Sequence, residues 1–166
     1  MSKRTRQYIG IVAAILAYYI IHEGAHLITA LISNTFRQIN FMGIGIQIDV
    51  YAEEMNNVQM GVFCLAGTVS TLIAAWLLIA FRGKISSSKS PVFRAAAYYT
   101  TAAMMFIDPL YLSVLCSLFG GGDMNGISLL LPILAARILF GIIGLLHIFA
   151  FVKLVLPAYQ KAIKEI

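Results

Sequence analysis

The stretch that decides the fold is YIGIVAAILAYYIIHEGAHLITALIS, residues 8–33. A helix needs about 20 consecutive, mostly apolar residues to cross the hydrocarbon core of a bilayer, and this stretch is long enough. Three further runs meet the same requirement, at residues 58–81, 92–119 and 126–156. The sequence therefore predicts an all-α polytopic membrane protein with about four transmembrane helices, arranged as a single domain over residues 1–166.

The composition excludes the main alternatives to a membrane protein. Of the 166 residues, 60% are apolar and only 11% are charged, whereas soluble domains average roughly 45–50% and about 25%. A soluble domain of this size would need more polar surface to cover its core, and a disordered chain would be far less apolar. The two cysteines, Cys64 and Cys116, lie in apolar runs without CxxC spacing. We interpret them as small buried hydrophobes, which argues against a disulfide-stapled secreted module.

The basic residues predict how the chain is oriented in the bilayer. Twelve Lys and Arg against seven Asp and Glu give a net charge of +5. Most of the bases precede the first run, follow the second or end the fourth. Lys and Arg accumulate on the cytoplasmic side of membrane proteins, so both termini are expected in the cytoplasm, and the 34–57 and 120–125 connections on the outer side. The bases form no aromatic-interleaved face, so the expected surroundings are lipid and no nucleic acid is expected as a partner.

The 34–57 connection contains a segment with the pattern of a β-strand. Residues 39–51 read INFMGIGIQIDVY, and the side chains at 44, 46, 48 and 50 are all Ile or Val. Apolar residues at every second position are typical of a half-buried strand, and Gly43 and Gly45 offer a turn. The pattern predicts a short β-hairpin. Because open strand edges are not tolerated in lipid, the hairpin should pack on the helices or face a wet cavity.

The first apolar run carries the motif HExxH, as His22, Glu23, Gly24, Ala25 and His26. Residues at i and i+4 share one face of a helix, so both imidazoles can bind one Zn²⁺. Glu23 lies beside that face and can hold a water molecule as general base, while the two small residues let another segment approach. Ionisable side chains inside a membrane span are expensive and usually functional, which favours the metal-binding interpretation.

Catalytic zinc usually has three protein ligands and one open position, so a carboxylate is expected beside the two histidines. Asp108 and Asp123 are the candidates. Asp108 and Arg137 lie at similar predicted depths in the third and fourth runs, which predicts an ion pair between them. Asp123 has no such partner and follows three glycines, residues 120–122, where the chain can turn a carboxylate inward. We therefore favour Asp123 as third ligand, which requires its segment to re-enter the bundle.

Four features of the sequence together resemble a known family. The features are HEGAH at 22–26, the β-like segment at 39–51, the stretch AGTVST at 66–71 that opens the second run, and Gly-Asp at 122–123. Together they are similar to the site-2 protease family of intramembrane zinc metallopeptidases. The resemblance covers most of the chain, although only HExxH is specific.

The resemblance implies both a site and a way of holding substrate. It implies three zinc ligands and a glutamate that activates water, here His22, His26 and Asp123 with Glu23. It also implies that the strand-like segment helps to hold an unwound substrate. The chain departs from the family pattern at Thr68 and Thr71, where Pro and Asn are usual, and at Met124, where Gly usually follows the aspartate.

The expected function is that of a zinc-dependent intramembrane endopeptidase that hydrolyses peptide bonds in or near the membrane-spanning segments of membrane-tethered proteins or peptides. The expected mechanism has Glu23 take a proton from water and pass it to the leaving amine. The alternative is a membrane-embedded zinc-binding subunit or regulator without protease activity. A small transporter is disfavoured because the four runs contain no inverted repeat. His147, in the last run, is interpreted as a helix-packing residue.

Overall fold

The computed structural model describes residues 1–43 and 45–164, apart from the side chains of Met42 and residues 161–164. Ile44, which the alternating pattern assigned to the β-like segment, lies outside the described residues. The elements in chain order are α1 (Lys3–Ile32), β1 (Phe36–Met42), β2 (Gly45–Val50), α2 (Asn57–Ala80), α3 (Arg82–Ser86), α4 (Pro91–Leu110), α5 (Asp123–Ile127), α6 (Ile133–Ala150) and α7 (Leu156–Lys164).

Four helical segments are long and apolar enough to cross a membrane: Lys3–Ile32, Asn57–Ala80, Pro91–Leu118 and Ile133–Gln160. The prediction of an all-α membrane protein with four spans is thereby confirmed. The third and fourth segments include one π-helical turn each, at Tyr111–Leu115 and Phe151–Val155.

The ends of the long helices follow from local capping chemistry. The Ser2 hydroxyl accepts a hydrogen bond from the backbone N–H of Thr5 at the start of α1. Asn56 and Gln59 form a reciprocal capping box at the start of α2. The fourth span begins at Ile133 rather than at 126, because Pro132 lies immediately before it. A residue that precedes proline is disfavoured in the helical conformation, so the apolar run is interrupted there.

The connection between the first two spans is the expected β-hairpin. β1 and β2 pair antiparallel, with Ile39 opposite Ile48, and Gly43 adopts a positive φ of 63° in the turn. β1 begins at Phe36, three residues before the predicted segment. Ile48 is buried, and β2 contacts α1. The hairpin therefore packs on the bundle, as the exclusion of open strand edges from lipid requires.

The connection after the third span turns back toward the bundle. Gly120, Gly121 and Gly122 have φ values of 77°, 89° and 45°, which residues with a Cβ rarely adopt. The short helix α5 follows directly and packs against α2. At Gly126 a Cβ would lie 2.3 Å from the sulfur of Cys64, so the absence of a side chain permits this close approach. The predicted inward turn of Asp123 is therefore present.

Candidate metal centre

Helix α1 places His22 and His26 one turn apart on the same face. Both imidazoles are buried, and their Nε2 atoms are 3.2 Å apart. At the start of α5, Oδ2 of Asp123 lies 3.3 Å from Nε2 of His22 and 3.7 Å from Nε2 of His26. The structure thus brings together the three residues that the sequence singled out as ligands.

The spacing of these three atoms fits a tetrahedral metal ion. With bonds of about 2.0–2.1 Å and tetrahedral angles, two ligands of one Zn²⁺ are about 3.3–3.4 Å apart. The observed separations of 3.2, 3.3 and 3.7 Å are close to that value. Two imidazole nitrogens and one carboxylate oxygen are also a donor set that zinc accepts. The fit therefore extends to both distances and chemistry.

The hydrogen bond made by His26 directs its lone pair toward this group. Its Nδ1 lies 2.7 Å from the backbone carbonyl oxygen of Phe63, which can only accept, so we assign the ring proton to Nδ1. Nε2 of His26 then carries a lone pair and faces the corresponding atom of His22 and the carboxylate of Asp123. Metal-binding histidines are commonly fixed by such an outer hydrogen bond, and a cation would relieve the repulsion between converging acceptors.

Gly67 on α2 leaves room beside both ligand nitrogens. A Cβ at this position would lie 2.5 Å from Nε2 of His26 and 2.6 Å from Nε2 of His22. The sequence included Gly67 only within the 66–71 stretch and gave no reason to assign it to the site. Small residues are common in membrane helices, so only the relative placement of α1 and α2 shows that this one borders the metal ligands.

Asp123 forms the more open side of the group. Its side chain is 23% exposed, against 9% and 5% for those of His22 and His26. An aspartate side chain with this access to solvent is ionised at neutral pH, as a metal ligand must be.

Glu23 lies next to the three candidate ligands without being one of them. Its half-buried carboxylate is close enough to His26, His22 and Asp123 for electrostatic interaction, and it faces the backbone N–H of Ile48 in β2. The acid that the motif predicts as general base thus lies near both the ligand group and β2.

The prediction of an ion pair between Asp108 and Arg137 is wrong. Asp108 accepts hydrogen bonds from the hydroxyls of Tyr18 and Thr71, whereas Arg137 donates from Nε to the carbonyl of Ser113 at 2.9 Å. The two residues were matched by depth alone, but Asp108 faces α1 and α2 whereas Arg137 lies on α6 beside the π-helical turn of the third span.

His147 lies in a packed position and takes no part in the ligand group. Its ring is 2% exposed and lies edge-on to Trp76, with the centroids 5.8 Å apart. Its Nδ1 donates to the backbone carbonyl of Met105 at 2.7 Å. These contacts join α6 to α2 and α4, in keeping with the packing role expected from the sequence.

The fold and the site define a membrane protein with four helical segments long enough to span the bilayer and a candidate three-ligand metal centre at the interface of α1, α2 and α5. Comparisons of the chain with protein-family models, curated proteins and solved structures gave no match. The resemblance to site-2 proteases stays a prediction made from the motifs.

A methyl group added at Gly67 is expected to weaken metal binding, because it would occupy the space beside both ligand nitrogens. For Gly67→Ala we expect zinc affinity to fall by about tenfold or more, in the range reported for changes around metal ligands. Competition with a chromophoric chelator on the purified protein measures the effect.

Gly24→Ala is the matched control for this substitution, because it makes the same change in a long helix and its Cβ would meet nothing within 4 Å. This variant should bind zinc as the unaltered protein does. Equal zinc affinities for Gly67→Ala and Gly24→Ala would contradict the assignment of Gly67 to the site.

Proposed function

We propose that the protein is a zinc-dependent intramembrane endopeptidase of the site-2 protease kind. Its substrates would be membrane-tethered proteins or peptides, cleaved in or near their membrane-spanning segments. The observation that carries the proposal is the convergence of two imidazoles and a carboxylate beside a second acid within a membrane-spanning bundle, formed by His22, His26, Asp123 and Glu23. Three protein ligands are the number typical of catalytic zinc, whereas structural zinc usually has four.

The chemistry would be divided between the ion and Glu23. When bound, Zn²⁺ supplies Lewis-acid activation of a water molecule and polarises a carbonyl group. Glu23 would accept the proton of that water as the oxygen attacks the scissile carbonyl, and would then deliver the proton to the leaving amine. Its location beside the ligand group, but outside the set of coordinating atoms, supports this role.

The hairpin offers a way to present an extended substrate. Backbone groups of a helical substrate are paired internally, so the scissile bond becomes accessible only when the helix unwinds locally. Among the described residues β2 pairs only with β1, and the N–H of Ile48 faces Glu23. An extended peptide added along this second edge of β2 would gain main-chain hydrogen bonds and would run past the general base.

Replacing Glu23 with Gln is expected to abolish cleavage and to leave zinc binding intact, since the residue moves a proton but does not coordinate. The expected loss in rate is about 10²–10⁴-fold, the usual contribution of general acid–base catalysis. The assay is co-expression with a panel of single-span membrane reporters, followed by measurement of cleaved product and of zinc in the purified protein.

Glu54→Gln provides the control, because Glu54 is exposed in the turn after β2 and the substitution removes the same charge. Full cleavage by Glu23→Gln would refute the proposed mechanism. A wild-type protein that binds zinc and cleaves none of the reporters would favour the alternative, a zinc-binding subunit without protease activity.

The charge distribution supports a location of both termini in the cytoplasm. Lys3, Arg6 and Arg94 border one cavity of about 710 Å³ together with Gln160, so the basic ends of α1, α4 and α7 share one end of the bundle. His22 follows Lys3 by 19 residues, which is about 28 Å along a helix. The metal centre would therefore lie nearer to the outer face.

Labelling with a membrane-impermeant maleimide tests this orientation. A cysteine introduced at the exposed Gln38 in β1 should react in intact cells, whereas one at Ser88, in the connection before α4, should react only after permeabilisation. The reverse labelling pattern would show that the chain is inserted the other way round.

A further inference from the structure

Asp108 is a buried carboxylate for which the proposed reaction has no use. It lies on α4 and is 2% exposed. Oδ1 accepts a hydrogen bond of 2.5 Å from the hydroxyl of Tyr18 on α1, and Oδ2 accepts one from the hydroxyl of Thr71 on α2. The same Oδ1 lies 3.4 Å from Nδ1 of His22. One carboxylate thus joins three helices and faces a candidate metal ligand.

Asp108 meets His22 on the side of the ring away from the other ligands. Nε2 of His22 faces Asp123 and His26, whereas Nδ1 faces Asp108. Since Nδ1 and Nε2 point away from each other across the imidazole ring, the carboxylate of Asp108 cannot share an ion with Nε2. This placement separates the two aspartates that the sequence offered as third ligand.

A carboxylate beside Nδ1 selects the tautomer that metal binding needs. A neutral imidazole carries one proton, and only the other nitrogen has a lone pair for a metal ion. An acceptor at Nδ1 favours the proton there and leaves the lone pair on Nε2. In His26 the carbonyl of Phe63 does the same. Among the described residues Nδ1 of His22 has no partner of full hydrogen-bond geometry, and Oδ1 of Asp108 lies 3.4 Å from it.

Tyr18 constrains the same ring in a second way. Its aromatic ring stacks on that of His22 with the centroids 5.2 Å apart and the planes 22° apart, while its hydroxyl holds Asp108. Tyr18 and His22 are four residues apart on α1, so the stack follows from the helix itself. The plane of the imidazole and the acceptor at Nδ1 are therefore fixed by one connected group of side chains.

We propose that Asp108 is a positioning residue that orients His22 for metal binding, with Tyr18 and Thr71 holding its carboxylate in place. The inference rests on the proposed metal centre and adds to it an outer carboxylate that the HExxH motif does not contain. It also accounts for an acid in the third span that neither coordinates the metal ion nor moves a proton.

Zinc affinity and the absorption spectrum of the cobalt-substituted protein test the proposal without any substrate. Loss of an outer partner typically lowers metal affinity by about 10–100-fold, and we expect this range for Asp108→Ala, with an altered cobalt spectrum. Asp108→Asn should lose less zinc affinity, because the amide oxygen of the new side chain can still accept a hydrogen bond from Nδ1 of His22. Tyr18→Phe keeps the stack and removes the hydroxyl, so it should have an intermediate effect.

Thr101→Val is the matched control for a purely structural effect. Thr101 lies on the same helix, is 1% exposed and donates to the carbonyl of Ala97. This variant should retain the zinc affinity and the cobalt spectrum of the unaltered protein. If Asp108→Ala fails to fold, Asp108→Asn and Tyr18→Phe, which nearly preserve volume, provide the comparison.

The outcomes separate this inference from the proposed function. An unaltered protein that binds neither zinc nor cobalt would overturn the metal centre itself. If the unaltered protein binds metal and the Asp108 and Tyr18 variants match it in affinity and spectrum, the positioning role is wrong. Complete loss of metal in Asp108→Ala together with retention in Asp123→Ala would instead make Asp108 the ligand.

Discussion

The arrangement of the helices around the candidate metal centre depends on the free-energy penalty for placing ionisable side chains among apolar helices. Insertion measurements put this penalty at about 2.5–3.5 kcal/mol for a charged residue at the centre of a span. Helix α1 carries two histidines and a glutamate within five residues, so its rotation about its own axis is constrained. This face must turn toward the other elements. Each neighbour then supplies a polar group to that face, the Phe63 carbonyl from α2 and the carboxylates of Asp108 and Asp123 from α4 and α5.

The same constraint explains the polar residues Arg137 and His147 of α6, which take no part in the metal centre. Pro109 has no N–H, so it leaves the carbonyl of Met105 without its usual helical partner, and His147 donates to that carbonyl. The π-helical turn at Tyr111–Leu115 disturbs the pattern further on, and Arg137 donates to the carbonyl of Ser113 there. Both side chains thus satisfy backbone acceptors of an interrupted helix, which lipid cannot do.

These interactions show what could be read from the sequence and what could not. HExxH spacing depends only on local helix geometry, and it correctly brought His22 and His26 together. The three glycines before Asp123 allowed its inward turn to be predicted, since positive φ values are a local property. The alternating pattern likewise predicted the hairpin. Each of these features is encoded within a few neighbouring residues.

The partner of Asp108 could not be derived in the same way. Residue counting estimates depth in the membrane, and Arg137 is at a compatible depth, but counting says nothing about which side of α4 faces which neighbour. That rotation follows from packing between helices distant in sequence. Gly67 was not recognised for the same reason: a glycine in an apolar helix has many packing uses, and its place beside two ligand nitrogens follows only from the close approach of α1 and α2.

The ligands differ in how firmly the fold holds them, and this difference bears on the proposed chemistry. The two histidines lie on one 30-residue helix, and their rings are held by Phe63 and Tyr18. Asp123 starts a helix of only five residues after a glycine turn and has the most exposed side chain of the three. Hydrolysis inside a membrane needs a path for water, and Asp123 borders the more accessible side of the site. Under the proposed function, a fixed histidine pair with an accessible third ligand would let water reach the ion, whereas a structural zinc site is closed on all sides.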